Sequence, residues 1–406
     1  MAAAKKFDIG MIGGGLSSFM GPVHLAAIEK AKCLRLVRGA FGESRQASYD
    51  CQKPYGLGPK DVYGAYREFL RHEAKRAKEA RVQFVTAVLP HMMHYPVAMT
   101  AMDAGIPVLG SKPFTVNLDE ATNLARKQKF TGVPYRIAMV YPAYSMLVKA
   151  RRMIQQGELG ILRRFVFSMQ SGWMARRLEN QGSRQAIWRV DFRRAGQGGV
   201  VTECACDCQF TLEWLTGQRI SEVCVSGRPT VPGRLIPDDA TALVRTEQGL
   251  TGTFLMSQIA TGHHEGLEFE ITGDKAAMRW RQSDPGHLRI IDVEGHERVI
   301  KDASSSGEDS SWDKPYGANA AYIEALSRVY REFSEFLQGR QKKVRAADDR
   351  ILGMTLEEGL RSVVVADAMV RSMGLPPLEA PQYVNGQQPP PPPPPPKWIP
   401  VTMPKV

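Results

Sequence analysis

Phe7-Asp-Ile-Gly-Met-Ile-Gly-Gly-Gly-Leu-Ser-Ser18 is the stretch on which the fold turns. Its apolar run is too short for a helix and reads as a strand, three glycines break it, and a helical pattern follows to Ala31. A G-x-G-x-x-G fingerprint needs bare backbone at its first two glycines. The chain can then turn tightly, and a diphosphate can lie against N–H groups at a helix N-terminus. Gly13 and Gly15 fill those places and Ser18 the last, where a small side chain lets helix and strand approach. Gly13, Gly14, Gly15, Leu16, Ser17 and Ser18 are therefore expected to cradle a dinucleotide.

The flanking sequence keeps the same rhythm. Leu34 to Phe41 reads as a strand, Arg67 to Ala80 as a charged helix, and Val82 to Leu89 as a buried strand closed by Pro90. His94 to Ala104 reads as a helix, Ile106 to Leu109 as a strand, Leu118 to Lys129 as a helix and Tyr135 to Met139 as a strand. Such alternation predicts an α/β Rossmann domain, a doubly wound parallel sheet, over residues 1–140. The end of the second strand selects the cofactor: an acid holds a ribose 2′-hydroxyl, whereas Arg with Ser suits a 2′-phosphate. Glu43, Ser44 and Arg45 offer both. With Arg38 nearby, NADP and NAD both stand as expected cofactors, NADP slightly ahead.

From about residue 145 the period changes. A helix over Leu147 to Gln156 leads into segments with every second residue apolar. These run over Leu162 to Met169, Ile220 to Val225, Ala240 to Arg245, Gly252 to Ser257, Leu267 to Thr272 and Leu288 to Val293. They predict an α+β domain with an open, mainly antiparallel sheet over 141–378, with helices at Ala320 to Leu337 and Thr355 to Met373. Asp302 to Asp313 reads as a loop. The Pro-rich tail, 379–406, carries eight consecutive prolines, Pro389 to Pro396. That run predicts a polyproline II rod of roughly 25 Å, serving as a stiff spacer or as the ligand of an aromatic-grooved adaptor or profilin-like protein.

With 406 residues the chain exceeds one ordinary core. The net charge of +11 comes from scattered Lys and Arg without a nucleic-acid motif, so a solvated basic surface is expected and nucleic acid is not. No apolar run reaches the about 18 residues of a membrane span, and the start lacks the core of a signal peptide, so the expected location is cytoplasmic. Six cysteines are too few and too unevenly spaced for a secreted disulfide framework. Cys204 and Cys208 would share a helix face while Cys206 points elsewhere, with no fourth ligand at zinc spacing, and no metal is expected.

Several motifs occur in order: Gly10-Met-Ile-Gly-Gly-Gly15, Phe19-Met-Gly-Pro-Val-His24, Gly105-Ile-Pro-Val-Leu-Gly-Ser-Lys-Pro113, Gly157-Glu-Leu-Gly160, Trp188-Arg-Val-Asp191 and Gly198-Gly-Val-Val-Thr-Glu203. Together they resemble the glucose–fructose oxidoreductase, inositol dehydrogenase and rhizopine-catabolism proteins, the Gfo/Idh/MocA family, over about residues 6 to 375. The resemblance implies a Rossmann domain followed by an open-sheet domain that often forms the interface of a homo-oligomer. It also implies hydride transfer between NAD(P) and a sugar, inositol or related polyol. The proline-rich tail is no part of it.

Lys112 matches the lysine of the family's Glu-Lys-Pro motif, with Ser111 in place of the acid. The family's Asp-x-x-x-His pair falls on Glu203 and Asp207. At i and i+4 on a helix these acids share a face, and beside Lys112 they would share a proton, one acting as base. Tyr141 is expected to lend its hydroxyl. Tyr144, Trp188, Arg189 and Asp191 are expected around the substrate, with Trp188 equally suited to a structural role. Leu89, Pro90, His91 and His94 are expected beside the cofactor, His94 equally as a capping or core histidine. His263-His264-Glu265 reads as a polar loop, and Tyr316-Gly-Ala-Asn319 stands where relatives often carry a site histidine. Two functions follow. One is an NAD(P)-dependent dehydrogenase acting on CH–OH groups. The other is a catalytically impaired scaffold, suggested by the changes at Ser111, Asp207 and 316–319.

Overall fold

The computed structural model describes residues 6–263, 266–302, 319–339, 353–375 and 395–406. The first half alternates β1 (Phe7–Gly13), α1 (Gly21–Ala31), β2 (Leu34–Ala40), α2 (Arg45–Tyr49), α3 (Tyr66–Lys75), β3 (Phe84–Val88), α4 (His94–Asp103), β4 (Val108–Gly110), α5 (Leu118–Thr131) and β5 (Tyr135–Ile137). The second half runs α6 (Ser145–Gln155), β6 (Leu162–Gln170), α7 (Arg184–Arg189), α8 (Phe192–Ala195), α9 (Val200–Thr216), β7 (Ile220–Arg228), β8 (Asp239–Thr246), β9 (Thr251–Ser257), β10 (Leu267–Gly273), β11 (Ala276–Arg281), β12 (His287–Asp292), β13 (Glu297–Lys301), α10 (Ala320–Leu337), β14 (Met354–Thr355), α11 (Leu356–Ser372) and β15 (Ile399–Pro400).

Five parallel strands form the first sheet, in the order β5-β4-β3-β1-β2, and β14 adds antiparallel to β5. β3 is buried at every residue, as expected of a strand covered by helices on both faces. The chain re-enters this domain late. α10 packs on α1, and its Tyr330 hydroxyl bonds His24 Nδ1 at 2.7 Å and Thr86 Oγ1 at 2.8 Å, a buried polar bridge.

The second sheet has nine strands in the order β13-β12-β11-β10-β6-β9-β8-β7-β15. It is mixed rather than wholly antiparallel, because β6 and β9 pair in parallel. β11 and β13 were not expected, although β11 buries Met278 and Trp280 while Arg279 and Arg281 face out. α6, α9 and α11 cover the inner face, where Phe165, Phe167 and Phe254 are fully buried. The outer face carries the cross-strand row Cys224–Leu243–Thr253–Val166–Glu270–Arg279.

Residues 397–406 are not a free tail. β15 pairs antiparallel with β7, Val401 N donates to Ser221 O at 2.8 Å, and Trp398 lies against the Arg245 guanidinium at 3.9 Å. The strand thereby covers an edge that β7 would otherwise expose. Most of the proline run, and the Tyr316 to Ala318 and His264–Glu265 positions, lie outside the described residues.

Candidate active site

The phosphate loop is set by helix–strand contact. α1 begins at Gly21, after Met20, with Pro22 in its first turn, so Ser18 lies before the helix rather than in it. The close approach expected at Ser18 falls on Gly21: a Cβ there would sit 2.2 Å from Gly14 O, inside any tolerated contact. Ser18 instead accepts the Gly21 N–H on its Oγ at 3.2 Å and bonds back to Gly15 O. Tyr55 donates its hydroxyl to the Gly14 carbonyl from outside the motif.

Gly13 through Ser18 all border a cavity of about 750 Å³ that runs from the β2 end to the second sheet. This size and shape suit a bound organic molecule. Glu43, Leu89, Pro90, His91, Ser111, Lys112, Tyr141, Trp188, Arg189, Glu203 and Asp207 border the same cavity, so the structure brings these expected residues together.

Six residues expected here do other things. Ser44 caps α2 by accepting from Ala47 N at 3.1 Å. Arg45 turns outward to Glu68. Arg38 is held by the buried Glu73 at 2.8 Å, where a second cation, Arg76, also binds, so none of these three residues faces the cavity. His94 is buried beneath the floor, its nitrogens 2.6 Å from Pro113 O and 3.1 Å from Leu89 O, bracing the ends of β3 and β4 against each other. Tyr144 lies behind Tyr141, stacked at 6.3 Å, its buried hydroxyl having no hydrogen-bond partner among the described residues. Asp191 caps α8 through Arg193 N at 3.0 Å.

Lys112 follows β4 on a turn tied back to β3 by Ser111 Oγ, which donates to Ala87 O at 2.7 Å. α9 delivers the acids. Its entry needs glycine, because Gly199 has φ 51° and a Cβ there would meet Pro237 O at 2.1 Å. Lys112 Nζ donates to Asp207 Oδ2 at 2.7 Å and to the backbone carbonyl of Glu203 at 3.2 Å. The expectation that the two carboxylates share a proton beside Lys112 is corrected here. The Glu203 carboxylate turns away and accepts from Arg189 Nε at 3.0–3.1 Å and from Gln258 Nε2 at 2.6 Å.

Electrostatics follow from this pairing. Burial raises the Asp207 carboxyl, and Lys112 offsets only part of that. Burial works against the Lys112 ammonium, but Asp207 and its neighbours outweigh it and hold the group well above the ordinary lysine value. Burial also opposes the Glu203 anion, yet Arg189 prevails and brings its carboxyl down to about 2. His91 is held well below the ordinary histidine value by burial, and its ring meets the Trp188 edge at 4.6 Å. Tyr141 donates to Gln282 Oε1 at 3.2 Å, with its hydroxyl pushed well up by burial and by Asp207.

Sequence reasoning did not find Gln282, Gln258, Gln185 or Tyr55. Each acts from a distant part of the chain and belongs to no motif.

Known proteins resemble the chain in sequence and fold. A family description of "Oxidoreductase family, NAD-binding Rossmann fold" matches residues 7–139, and "GFO/IDH/MocA C-terminal domain" matches 147–279. An "Uncharacterized oxidoreductase YfiI" of Bacillus subtilis (strain 168) is 24% identical over 380 residues, spanning 91% of this chain and 95% of that protein. A levoglucosan dehydrogenase of Pseudarthrobacter phenanthrenivorans is 18% identical over 402 residues, 91% and 96% of the two chains. The fold matches that of an inositol dehydrogenase homolog from Azotobacter vinelandii complexed with NAD+, with TM-score 0.81, 24% identity, and 91% and 96% of the chains covered. Among the described residues no helix is long and apolar enough to cross a membrane.

Proposed function

The chain belongs to the GFO/IDH/MocA oxidoreductase family, with its NAD-binding Rossmann fold, and from that premise we propose that it transfers hydride between a nicotinamide cofactor and a CH–OH group of a sugar-like or cyclic polyol. The observation that carries this reading is the Lys112–Asp207 pair, 2.7 Å apart on the cavity that the phosphate loop also borders. The bare backbone at Gly13 to Gly15 fits the diphosphate, and Glu43 fits the ribose diol. Arg38 and Arg45 are engaged elsewhere, which favours NAD over NADP. The bound nicotinamide supplies the hydride acceptor.

The protein's own groups handle the proton. The Lys112 ammonium donates a hydrogen bond to the substrate oxygen and orients it. As the carbinol C–H electron pair leaves with its hydrogen, the O–H bond breaks, the carbonyl forms, and the proton passes to the Asp207 carboxylate. Burial gives this carboxylate a basicity that an exposed one lacks. Tyr141, fixed by Gln282, supplies a second polar contact, and Trp188 walls the site. Two of the named proteins are a levoglucosan dehydrogenase and an inositol dehydrogenase homolog, which supports a cyclic polyol.

The outer sheet face, with Leu243 of β8 half exposed on it, suits association with a second copy. Six free thiols suit a reducing cytoplasm. The proline run serves as a spacer between α11 and β15, both of which are anchored.

Titrating NADH against the protein's fluorescence, then following a polyol panel at the nicotinamide absorbance, tests the reading. Micromolar binding with turnover of one polyol is expected. Binding of neither nicotinamide form would overturn it.

A further inference from the structure

Residues 171–198 link the second sheet to the phosphate loop, with Arg184, Gln185, Trp188, Arg189 and Arg194 bordering the cavity, and several contacts pin them there. Gln185 Nε2 donates to the Ser17 carbonyl of the phosphate loop at 3.1 Å, and Trp173 meets Phe19 edge-on at 6.0 Å. On the other side, Met174 N donates to the Gln258 carbonyl at 3.0 Å. At the centre lies Arg189, stacked over Trp188 at 4.0 Å and facing Trp173 at 5.3 Å, its Nη1 donating to Gln185 O and Oε1 at 3.1 Å.

This arginine ends on Glu203. Its Nε reaches both carboxylate oxygens, and the Gln258 amide takes one of them as well. The two charged side chains are 9% and 10% exposed, so the pair is almost out of water, and removing one partner leaves a buried charge. The same residue's backbone carbonyl accepts from Lys112 Nζ.

We propose that Glu203 is a positioning residue: its carboxylate latches the 171–198 segment closed over the dinucleotide site while its carbonyl aims the Lys112 ammonium. An unbroken path of contacts thus runs from Ser17 through Gln185, Arg189 and Glu203 to Lys112. Filling the diphosphate end of the cavity then steadies the ammonium at the other end. Glu203 itself takes no proton in the reaction, since the Arg189 Nε–H, shared between its two oxygens, and the Gln258 amide already serve its carboxylate, and Lys112 reaches only its carbonyl. The inference rests on the hydride-transfer reading.

The test is a double-mutant cycle on full-length protein with Glu203→Gln, Arg189→Met and the double variant, and with Arg189→Lys as a conservative rescue. Hydrogen exchange of residues 172–198 is measured with and without NADH, alongside kcat and KM for the polyol that the wild type oxidises. Expected are roughly tenfold faster exchange of that segment in each single variant and a kcat about 10- to 100-fold lower. KM should change less, the double variant should be no worse than the worse single, and Arg189→Lys should recover part of the protection. A structural role alone lowers the melting point without this coupling. Additive losses in kcat, or segment exchange unchanged in Glu203→Gln, would overturn the latch. Wild-type protein that binds no NADH overturns the hydride-transfer reading instead, and the latch's link to the cofactor with it; the titration reveals this before any variant is made.

Discussion

Replacing Gly21 by alanine introduces one methyl group where α1 packs against the phosphate loop. Its carbon would sit 2.2 Å from Gly14 O and 2.8 Å from Gly14 C, whereas real Cβ atoms essentially never come within 3.0 Å of such neighbours. Both obstacles are backbone, so no side chain can swing aside. Reaching an ordinary C···O separation of about 3.3 Å needs a relative shift of about 1 Å between α1 and the loop. Overpacking of this kind costs about 1–3 kcal/mol. The same shift moves the Gly14 carbonyl, which Tyr55 holds, and with it the N–H groups that would face a diphosphate. NADH affinity, read by fluorescence titration, should fall about 10- to 100-fold, since each 1.4 kcal/mol is about tenfold. Ser18→Ala is the control. It forfeits only the Oγ contact to Gly21 N, worth about 1 kcal/mol, and should bind NADH within about fivefold of wild type. Wild-type affinity in Gly21→Ala, or the larger loss in Ser18→Ala, refutes the placement of the helix-packing glycine.

Three further outcomes follow from the same structure. Glu43→Ser should weaken NADH about tenfold and narrow the gap to NADPH, measured by paired titrations, because the lost carboxylate holds a ribose diol in this reading. Truncation after Pro396 removes the β15 strap with the packing of Ile399, Val401 and Met403 against the core. This should cost about 2–4 kcal/mol and lower the calorimetric Tm by about 5–10 °C. The Glu203 carboxyl lies near 2 when folded and at 4.5 as a free side chain, so its contribution is complete above about pH 4.5 and is lost as pH falls towards 2. That difference corresponds to about 3 kcal/mol, and a chemical-denaturation series over this window should show a smaller acid loss in Glu203→Gln than in wild type.

The alternating strands and helices of the first domain were legible because period and punctuation are local properties. The helix after the glycines was also legible, but its packing position was placed at Ser18, three residues early: Pro22 marks the first helical turn, and a proline there points to Gly21 as the packing residue. The slight tilt to NADP rested on a cation whose partner lies far off in sequence. Arg38 reads as a cation available to a phosphate until Glu73, 35 residues away, is found beneath it. No local pattern announces that pairing. Arg189, Gln258 and Glu203 likewise meet across 14 and 55 residues, so α9 could be read as the carrier of two acids but not which one faces the lysine. β15 is two residues long, too short for any periodicity, and exists only through its partner β7.

Ser111 and Asp207, each a loss when read against the family motifs, look different together. A serine before the lysine removes its neighbouring carboxylate, and an acid in place of the expected histidine removes a base that titrates near neutrality. In the fold the acid stands 2.7 Å from the lysine, and so restores a carboxylate to it from α9. Burial raises that acid, which moves it towards the range in which a base works. Ser111 meanwhile spends its hydroxyl on Ala87 O and keeps the turn in place. The two departures therefore compensate each other, and this weighs against an inert scaffold. Asp207→Asn separates the readings, because it keeps the shape and one acceptor for Lys112 while abolishing the proton acceptor. An enzyme built this way should retain NADH binding within a few fold and lose turnover by about 10²–10⁴. A scaffold has no turnover to lose, and its cofactor site should ignore the change. If Asp207→Asn oxidises the polyol as fast as the wild type does, the proton leaves by another route and the compensation argument fails.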